Sequence, residues 1–256
     1  MTPLLAAEAL TVRYGERVGC TDVSFDLYTG EVLAVVGESG SGKTTLLGAL
    51  LQRVVPASGR VRYVSREGGW RDLADLGEAE RRRLARTEWG FVHQNPADGL
   101  RMSVSAGGNI GERLMAVGHR HYGDIRTTAV DWLERVEIPA ERVDDAPRSF
   151  SGGMRQRLQI ARNLVTHPRL VLLDEPTGGL DVSVQARVLD VLRRLVAELD
   201  LAAVIVTHDL AVARLLADRI LVMKDGRVVE EGMTARVLED PQHPYTQLLV
   251  SAILEV

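Results

Sequence analysis

One cysteine, Cys20, stands in a chain of 256 residues. That excludes a disulfide framework within the chain and any multi-cysteine metal or iron–sulfur site, and it leaves Cys20 as a small packing residue. Long apolar runs are missing too: no stretch approaches the roughly 18 consecutive apolar residues that cross a bilayer. The opening Met1-Thr2-Pro3-Leu4-Leu5-Ala6 has neither a basic start nor an extended apolar core, so no secretory leader is expected. These absences predict a cytoplasmic protein whose membrane contact, if any, comes through a partner. Excess positive charge is absent as well, and a formal net charge of −4 gives no support to nucleic-acid binding. The one basic cluster, Arg81-Arg82-Arg83 with Arg86, lies in a short helical stretch beginning near Glu78. It reads as a solvated helix face, with contact to an acidic partner as the alternative. His119 and His121 lack the further ligands a metal site needs. There is no internal repeat and no low-complexity linker.

What is present is the balance of a globular protein, with 45% hydrophobic and 26% charged residues, at a length near the upper size of one domain. Short β segments are expected from about Leu4 to Gly30, where Val23-Ser24-Phe25-Asp26-Leu27 alternates. The run Val32 to Val36 reads as a buried strand, followed by a helix over Thr45 to Leu51. Strands at Arg60 to Val64 and Trp89 to Val92 come next, and Asn95-Pro96 ends the second. From about Ala97 to Val165 the period is helical, including Ile110 to Val117 and Ile125 to Val136. Strand and helix then alternate through Leu170 to Leu173, Val182 to Leu199, Ala203 to Thr207 and Leu210 to Ala217. A last hairpin turns at Asp225-Gly226 between Ile220-Leu221-Val222-Met223 and Val228-Val229.

Between the first buried strand and its helix lies Gly37-Glu38-Ser39-Gly40-Ser41-Gly42-Lys43-Thr44, then Thr45. This is a P-loop in the strand, loop, helix context the motif requires. Its glycines let backbone N–H groups curl around phosphate oxygens, where side chains would hold the backbone away. Lys43 supplies a point charge near the outer phosphates, and Thr44 offers a hydroxyl to Mg²⁺. The helix presents the positive end of its dipole. An acidic partner is expected at the end of a second buried strand, and Leu170-Val171-Leu172-Leu173-Asp174-Glu175 supplies it. Asp174 would hold Mg²⁺ and Glu175 would orient and polarise the attacking water.

Upstream of that strand, Phe150-Ser151-Gly152-Gly153-Met154-Arg155-Gln156-Arg157 opens a helix on which Met154, Leu158, Ala161 and Val165 share a face. Ser151 is a plausible N-cap, and the exposed N–H groups form another anion site. One triphosphate does not easily occupy two separate phosphate sites of one fold, so the second is expected to serve a nucleotide held by another subunit.

In motif order from Tyr14 to His208 the chain resembles the ATP-binding cassette (ABC) superfamily. The resemblance implies an α/β fold: a P-loop ATPase domain with a RecA-like parallel core, an antiparallel β subdomain and an inserted α-helical subdomain over about 97–165, all in one domain spanning 1–256. It also implies ATP and Mg²⁺ as ligands. Tyr14 looks like the aromatic that stacks on adenine, and Gln94 like the loop glutamine that senses the γ-phosphate and touches Mg²⁺. Ser151, Gly152, Gly153 and Gln156 correspond to the signature that acts on the partner's nucleotide, Asp181 to the residue that communicates across the dimer, and His208 to the switch histidine.

Two readings of the partner follow. The segment Pro241-Gln242-His243-Pro244-Tyr245-Thr246-Gln247-Leu248-Leu249 resembles that of importer motors for oligopeptides, dipeptides or nickel. Those motors usually continue well beyond this point, often with a cysteine cluster. The runs Arg86 to Pro96, Asp98 to Arg101, Val104 to Met115, His121 to Arg126 and Gln247 to Ser251 closely resemble an ATPase subunit of bacterial carbon–phosphorus lyase. The second resemblance covers nearly the whole chain. It implies docking on the lyase core and pairing with itself or a related ATPase subunit. It further implies ATP turnover that gates or remodels the core during phosphonate breakdown. C–P cleavage itself is expected to fall to partner subunits, since one cysteine cannot hold the iron–sulfur cluster such chemistry needs.

Overall fold

The computed structural model describes residues 2–254. The chain forms two compact units, one built from the residues up to 81 together with those from 200 onward, the other from 82–199.

In the first unit, strands β1 (Leu5–Tyr14) and β2 (Arg17–Leu27) form a long antiparallel pair. In β2 the buried Val23, Phe25 and Leu27 alternate with exposed Asp22, Ser24 and Asp26, the signature of a sheet with one covered face. Strand β3 (Val32–Val36) follows and is buried along its whole length, then helix α1 (Lys43–Leu50). Strand β4 (Ser58–Val64) pairs with β1, and the short β5 (Trp70–Asp72) with β4. Helix α2 (Glu78–Thr87) begins in this unit and continues into the second; only Leu84 of it is buried, which accommodates its arginines on solvated faces.

The second unit contains β6 (Trp89–Val92), α3 (Pro96–Gly99), α4 (Ala106–Ala116), α5 (Tyr122–Arg135), α6 (Gly152–Leu164), β7 (Leu170–Asp174) and α7 (Val182–Leu199). Two single 3₁₀ turns, Ala140–Asp144 and Pro147–Ser149, connect α5 to α6. Strands β6 and β7 run parallel, with Val92 level with Leu173. The helices expected over about 97–165 are α3 to α6. His121 caps α5 by accepting the Asp124 N–H at its Nδ1, which gives this histidine a structural use.

Returning to the first unit, β8 (Ala202–Thr207), α8 (Leu210–Leu216), β9 (Arg219–Lys224), β10 (Arg227–Met233), α9 (Thr234–Glu239) and α10 (Pro244–Leu254) complete the order. Strand β3 lies between β8 and β9, parallel to both, and β10 runs antiparallel to β9. All six residues of β8 are buried, as in strands covered on both faces. The β9–β10 turn has Asp225 at φ 48° and Gly226 at φ 77°, the left-handed pair that a two-residue hairpin requires. Among the described residues no helix is long and apolar enough to cross a membrane.

Candidate active site

The phosphate loop belongs to the first unit. Val36 pairs with Thr207, so Gly37 and His208 leave the same end of two neighbouring parallel strands. His208 is exposed there, and the following Asp209 caps α8 through its carboxylate, which accepts the Ala211 N–H at 2.8 Å. Helix α1 begins at Lys43, two residues before the sequence pattern alone indicates. Its N-cap is Gly42, at φ 103°, and no side chain caps the helix, so the first-turn N–H groups carry no side-chain partner. A Cβ at Gly42 would lie 2.4 Å from the Gly19 carbonyl oxygen, and one at Gly37 would lie 2.2 Å from that of Met223. The loop is therefore wrapped tightly against backbone on its outer side.

Lys43 is buried, and its Nζ donates to the carbonyls of Gly37 at 2.7 Å and Glu38 at 2.8 Å, which centres the ammonium within the curl. Ser41 Oγ is also buried and has no hydrogen-bond partner, a polar atom that awaits an anion or its bound cation. Thr44, the residue after Lys43, is exposed. Tyr14, at the end of β1, is half exposed (50%). Its ring edge comes within 3.0 Å of where a Gly19 Cβ would sit, and Thr45 comes within 2.6 Å of that same point. The ring thus stands beside the start of α1.

The acidic strand end belongs to the second unit. Because Val92 is level with Leu173, His93 and Gln94 leave β6 beside Asp174 and Glu175 leaving β7. Glu175 holds φ at 43°, an uncommon conformation for a non-glycine residue, and its carbonyl accepts the Gly178 N–H. The Gln94 amide lies against this turn, 3.3 Å from where a Gly178 Cβ would sit. Ser151 caps α6, its Oγ accepting the Met154 N–H. Ser151 and Gly152 are exposed, whereas Gly153 is buried and a Cβ there would lie 2.2 Å from Val184 of α7. Asp181 is exposed just before α7 and accepts the Val184 and Gln185 N–H groups at its carbonyl.

Gln156, expected to act with the Ser-Gly-Gly turn, is 1% exposed and faces inward, its Nε2 donating to the His93 carbonyl. It belongs to a set that the period of α6 did not disclose. Helix α6 is buried on nearly every side, its polar Gln156, Gln159 and Asn163 included. Strand β6 has one strand neighbour, β7, and its other edge is satisfied by these amides. Asn163 Oδ1 accepts the Phe91 N–H, Gln159 Oε1 accepts the His93 N–H at 2.7 Å, and Gln159 Nε2 donates to the His93 carbonyl at 3.1 Å. At the far end of the same loop, the fully buried Asn109 accepts the Arg101 N–H and donates to the carbonyls of Arg101, Val104 and Ser105. The loop that carries Gln94 is thereby fixed at both ends to the helices.

Two arginines, Arg157 buried and Arg113 half-buried, support this arrangement. Arg157 donates to the carbonyls of Val136 and Glu137, tying α6 to the end of α5, and burial draws its pKa below the usual guanidinium value. Arg113 donates to Ala85 and Trp89, and burial, aided by Arg162, pushes it down to about 10.

A phosphate loop with open N–H groups, a buried lysine and an unpartnered buried serine, together with a strand-end Asp-Glu pair and a capped Ser-Gly-Gly turn, is the equipment of a nucleotide-driven motor. Residues 20–178 match the ABC transporter family, and the chain belongs to it. It is an ATP-binding cassette that hydrolyses ATP in the presence of Mg²⁺. The chain is 68% identical, over 99% of its length and 98% of the relative's, to PhnK of Escherichia coli (strain K12), named as a phosphonates utilization ATP-binding protein. It is 36% identical to the dipeptide transport ATP-binding protein DppD of the same strain, over 98% of this chain and 79% of that one. Among solved structures it resembles the dimeric post-hydrolysis state of the ATP-binding cassette MJ0796 bound to ADP and Pi. The TM-score is 0.78 at 29% identity, covering 90% of this chain and 98% of that one.

Proposed function

We propose that this chain is the ATP-hydrolysing subunit of a cytoplasmic carbon–phosphorus lyase machinery for phosphonate breakdown, docking on the lyase core and pairing with a second cassette. The observation that carries this reading is the 68% identity to PhnK over 99% of the chain. The whole chain acts as one cassette, with α3 to α6 as its inserted helical subdomain.

In this reading Tyr14 stacks on the base, and the loop 37–45 with Lys43 takes the phosphates, the Glu38 N–H excepted because Tyr245 holds it. The oxygen donors of Thr44, Asp174 and Gln94 are of the hard type that suits Mg²⁺. Bound there, Mg²⁺ supplies neutralisation of the outer phosphate charge. Glu175 accepts a proton from the attacking water and orients it, and His208 steadies the γ-phosphate. Ser151 and the N–H groups of Gly152 and Gly153 act on the nucleotide held by the partner cassette, and Asp181 relays its state. Closure and release follow from a higher affinity of the closed pair for ATP than for products. With the phosphate groups taken up by backbone, the Gln94 loop is the natural place for the core to sense turnover.

The importer reading is favoured by the 36% identity to DppD. Purifying the tagged protein from cells grown on a phosphonate as phosphorus source separates the two. Co-purified lyase subunits are the expected result, and co-purified integral membrane permeases would replace this reading with the other.

A further inference from the structure

The segment from Pro241 to Leu249 is assigned no task by nucleotide chemistry, yet it reaches the phosphate loop. Tyr245, near the start of α10, is 5% exposed and packs in an apolar cluster with Val36, Val222 and Val237. Its hydroxyl oxygen accepts the backbone N–H of Glu38 at 3.0 Å, across 207 residues of chain. That N–H belongs to the same planar peptide as the Gly37 carbonyl, which accepts Lys43 Nζ at 2.7 Å. One rigid peptide unit is thus pinned on one edge by the tyrosine hydroxyl and on the other by the lysine that meets phosphate. A rotation of this plane moves the carbonyl that holds the ammonium.

The tyrosine is itself held. Glu230 on β10 accepts the N–H groups of Gln242 at 2.8 Å and His243 at 3.0 Å, and His243 Nδ1 accepts the Tyr245 N–H at 3.1 Å. Lys224, at the end of β9, places its ammonium 4.9 Å from the ring centroid. We propose that Tyr245 is a positioning residue of the phosphate loop, so that the C-terminal segment is a working part of the nucleotide site. This rests on assigning 37–44 as the phosphate loop.

The test uses the full chain. Tyr245→Phe removes one hydroxyl and keeps the ring in its cluster. It should raise KM for ATP and the Kd for MgATP about three- to tenfold, the worth of one hydrogen bond, and leave kcat within about twofold. The nucleotide-free melting temperature should stay near wild type while the upward shift given by MgATP shrinks. Val237→Ala, a packing change in the same cluster, should do the reverse, lowering the nucleotide-free melting temperature with KM unchanged. An unchanged KM in Tyr245→Phe, or an equal rise in KM in Val237→Ala, overturns the proposal. Lys43→Ala keeps the two ideas apart. If it loses MgATP affinity while Tyr245→Phe does not, only the role of Tyr245 fails; if it too binds normally, the phosphate-loop assignment fails. Should Tyr245→Phe fold poorly, amide exchange in the wild-type protein decides. The Glu38 N–H is expected to exchange more slowly than those of Ser39 and Gly40, and equal rates would refute the contact.

Discussion

The loop from Gly37 to Thr44 and the loop that carries Gln94 are held by opposite means. In the first, backbone packs on backbone at glycines, Lys43 inside the curl bonds to the loop's own carbonyls, and Tyr245 reaches in from α10 to a single peptide group, the Glu38 N–H. In the second, the buried amides of Gln159, Asn163 and Asn109 reach in from neighbouring helices and occupy the loop's peptide groups. The difference follows from what each offers a ligand. A loop whose N–H groups are themselves the binding surface must leave most of them open, so its shape comes mainly from glycine geometry and steric contact. A loop that offers a side chain is free to have its peptide groups tied down.

The largest effect expected from breaking this comparison is chemical. Glu175→Gln should retain MgATP binding while lowering turnover about 10²–10⁴-fold, measured as phosphate release against nucleotide binding. Unchanged turnover would remove Glu175 from its role and leave the acidic loop without its chemical purpose.

Gln159→Leu should remove the amide acceptor of the His93 N–H while the His93 carbonyl keeps its Gln156 donor, costing about 1–3 kcal/mol in urea unfolding. Its companion test is Gly42→Ala, which adds a Cβ only 2.4 Å from the Gly19 carbonyl oxygen at a left-handed backbone. It should cost about 1–3 kcal/mol of stability and weaken ATP binding as well. If Gln159→Leu were neutral, or if Gly42→Ala left ATP affinity intact, the contrast between the loops would not hold.

How much of this was readable beforehand also divides along the same line. The phosphate loop announces itself because its function is carried by residue types at fixed spacing, and the strand and helix around it have plain periods. The Asp225-Gly226 hairpin, α7 over Val182–Leu199 and the acidic end of β7 are legible for the same reason. The amide clamp is not. Gln156, Gln159 and Asn163 look like the polar side of an amphipathic helix whose apolar face is Met154, Leu158, Ala161 and Val165. They are buried because the open edge of β6 requires donors and acceptors, and that need is a tertiary fact. The same holds for Tyr245, whose partner Glu38 is remote in sequence. The short β5 and the start of α4 at Ala106, capped by Ser105, escaped the period for want of length and apolar residues.

The smallest effect concerns pH. Burial acts to raise the carboxyl pKa of Glu230, but the hydrogen bonds it accepts, led by the Gln242 N–H, together with the nearby His243 hold it below the ordinary glutamate value. A folded pKa below the unfolded one means that the stabilisation is fully present above the ordinary glutamate range and is lost as pH falls through the folded value. Glu230→Gln should therefore flatten part of the decline in stability between about pH 5 and pH 3. A variant with the wild-type acid profile would show that this anchor contributes nothing to the C-terminal segment.

Central to the proposed function is a site completed by the Ser151-Gly152-Gly153 turn of a second cassette, and specific ATPase activity measured across a dilution series tests it most directly. Activity per molecule should fall as the protein is diluted and the pair dissociates, and recover on reconcentration. A single-subunit species, verified by sedimentation, that keeps full specific activity at the lowest concentration would contradict it.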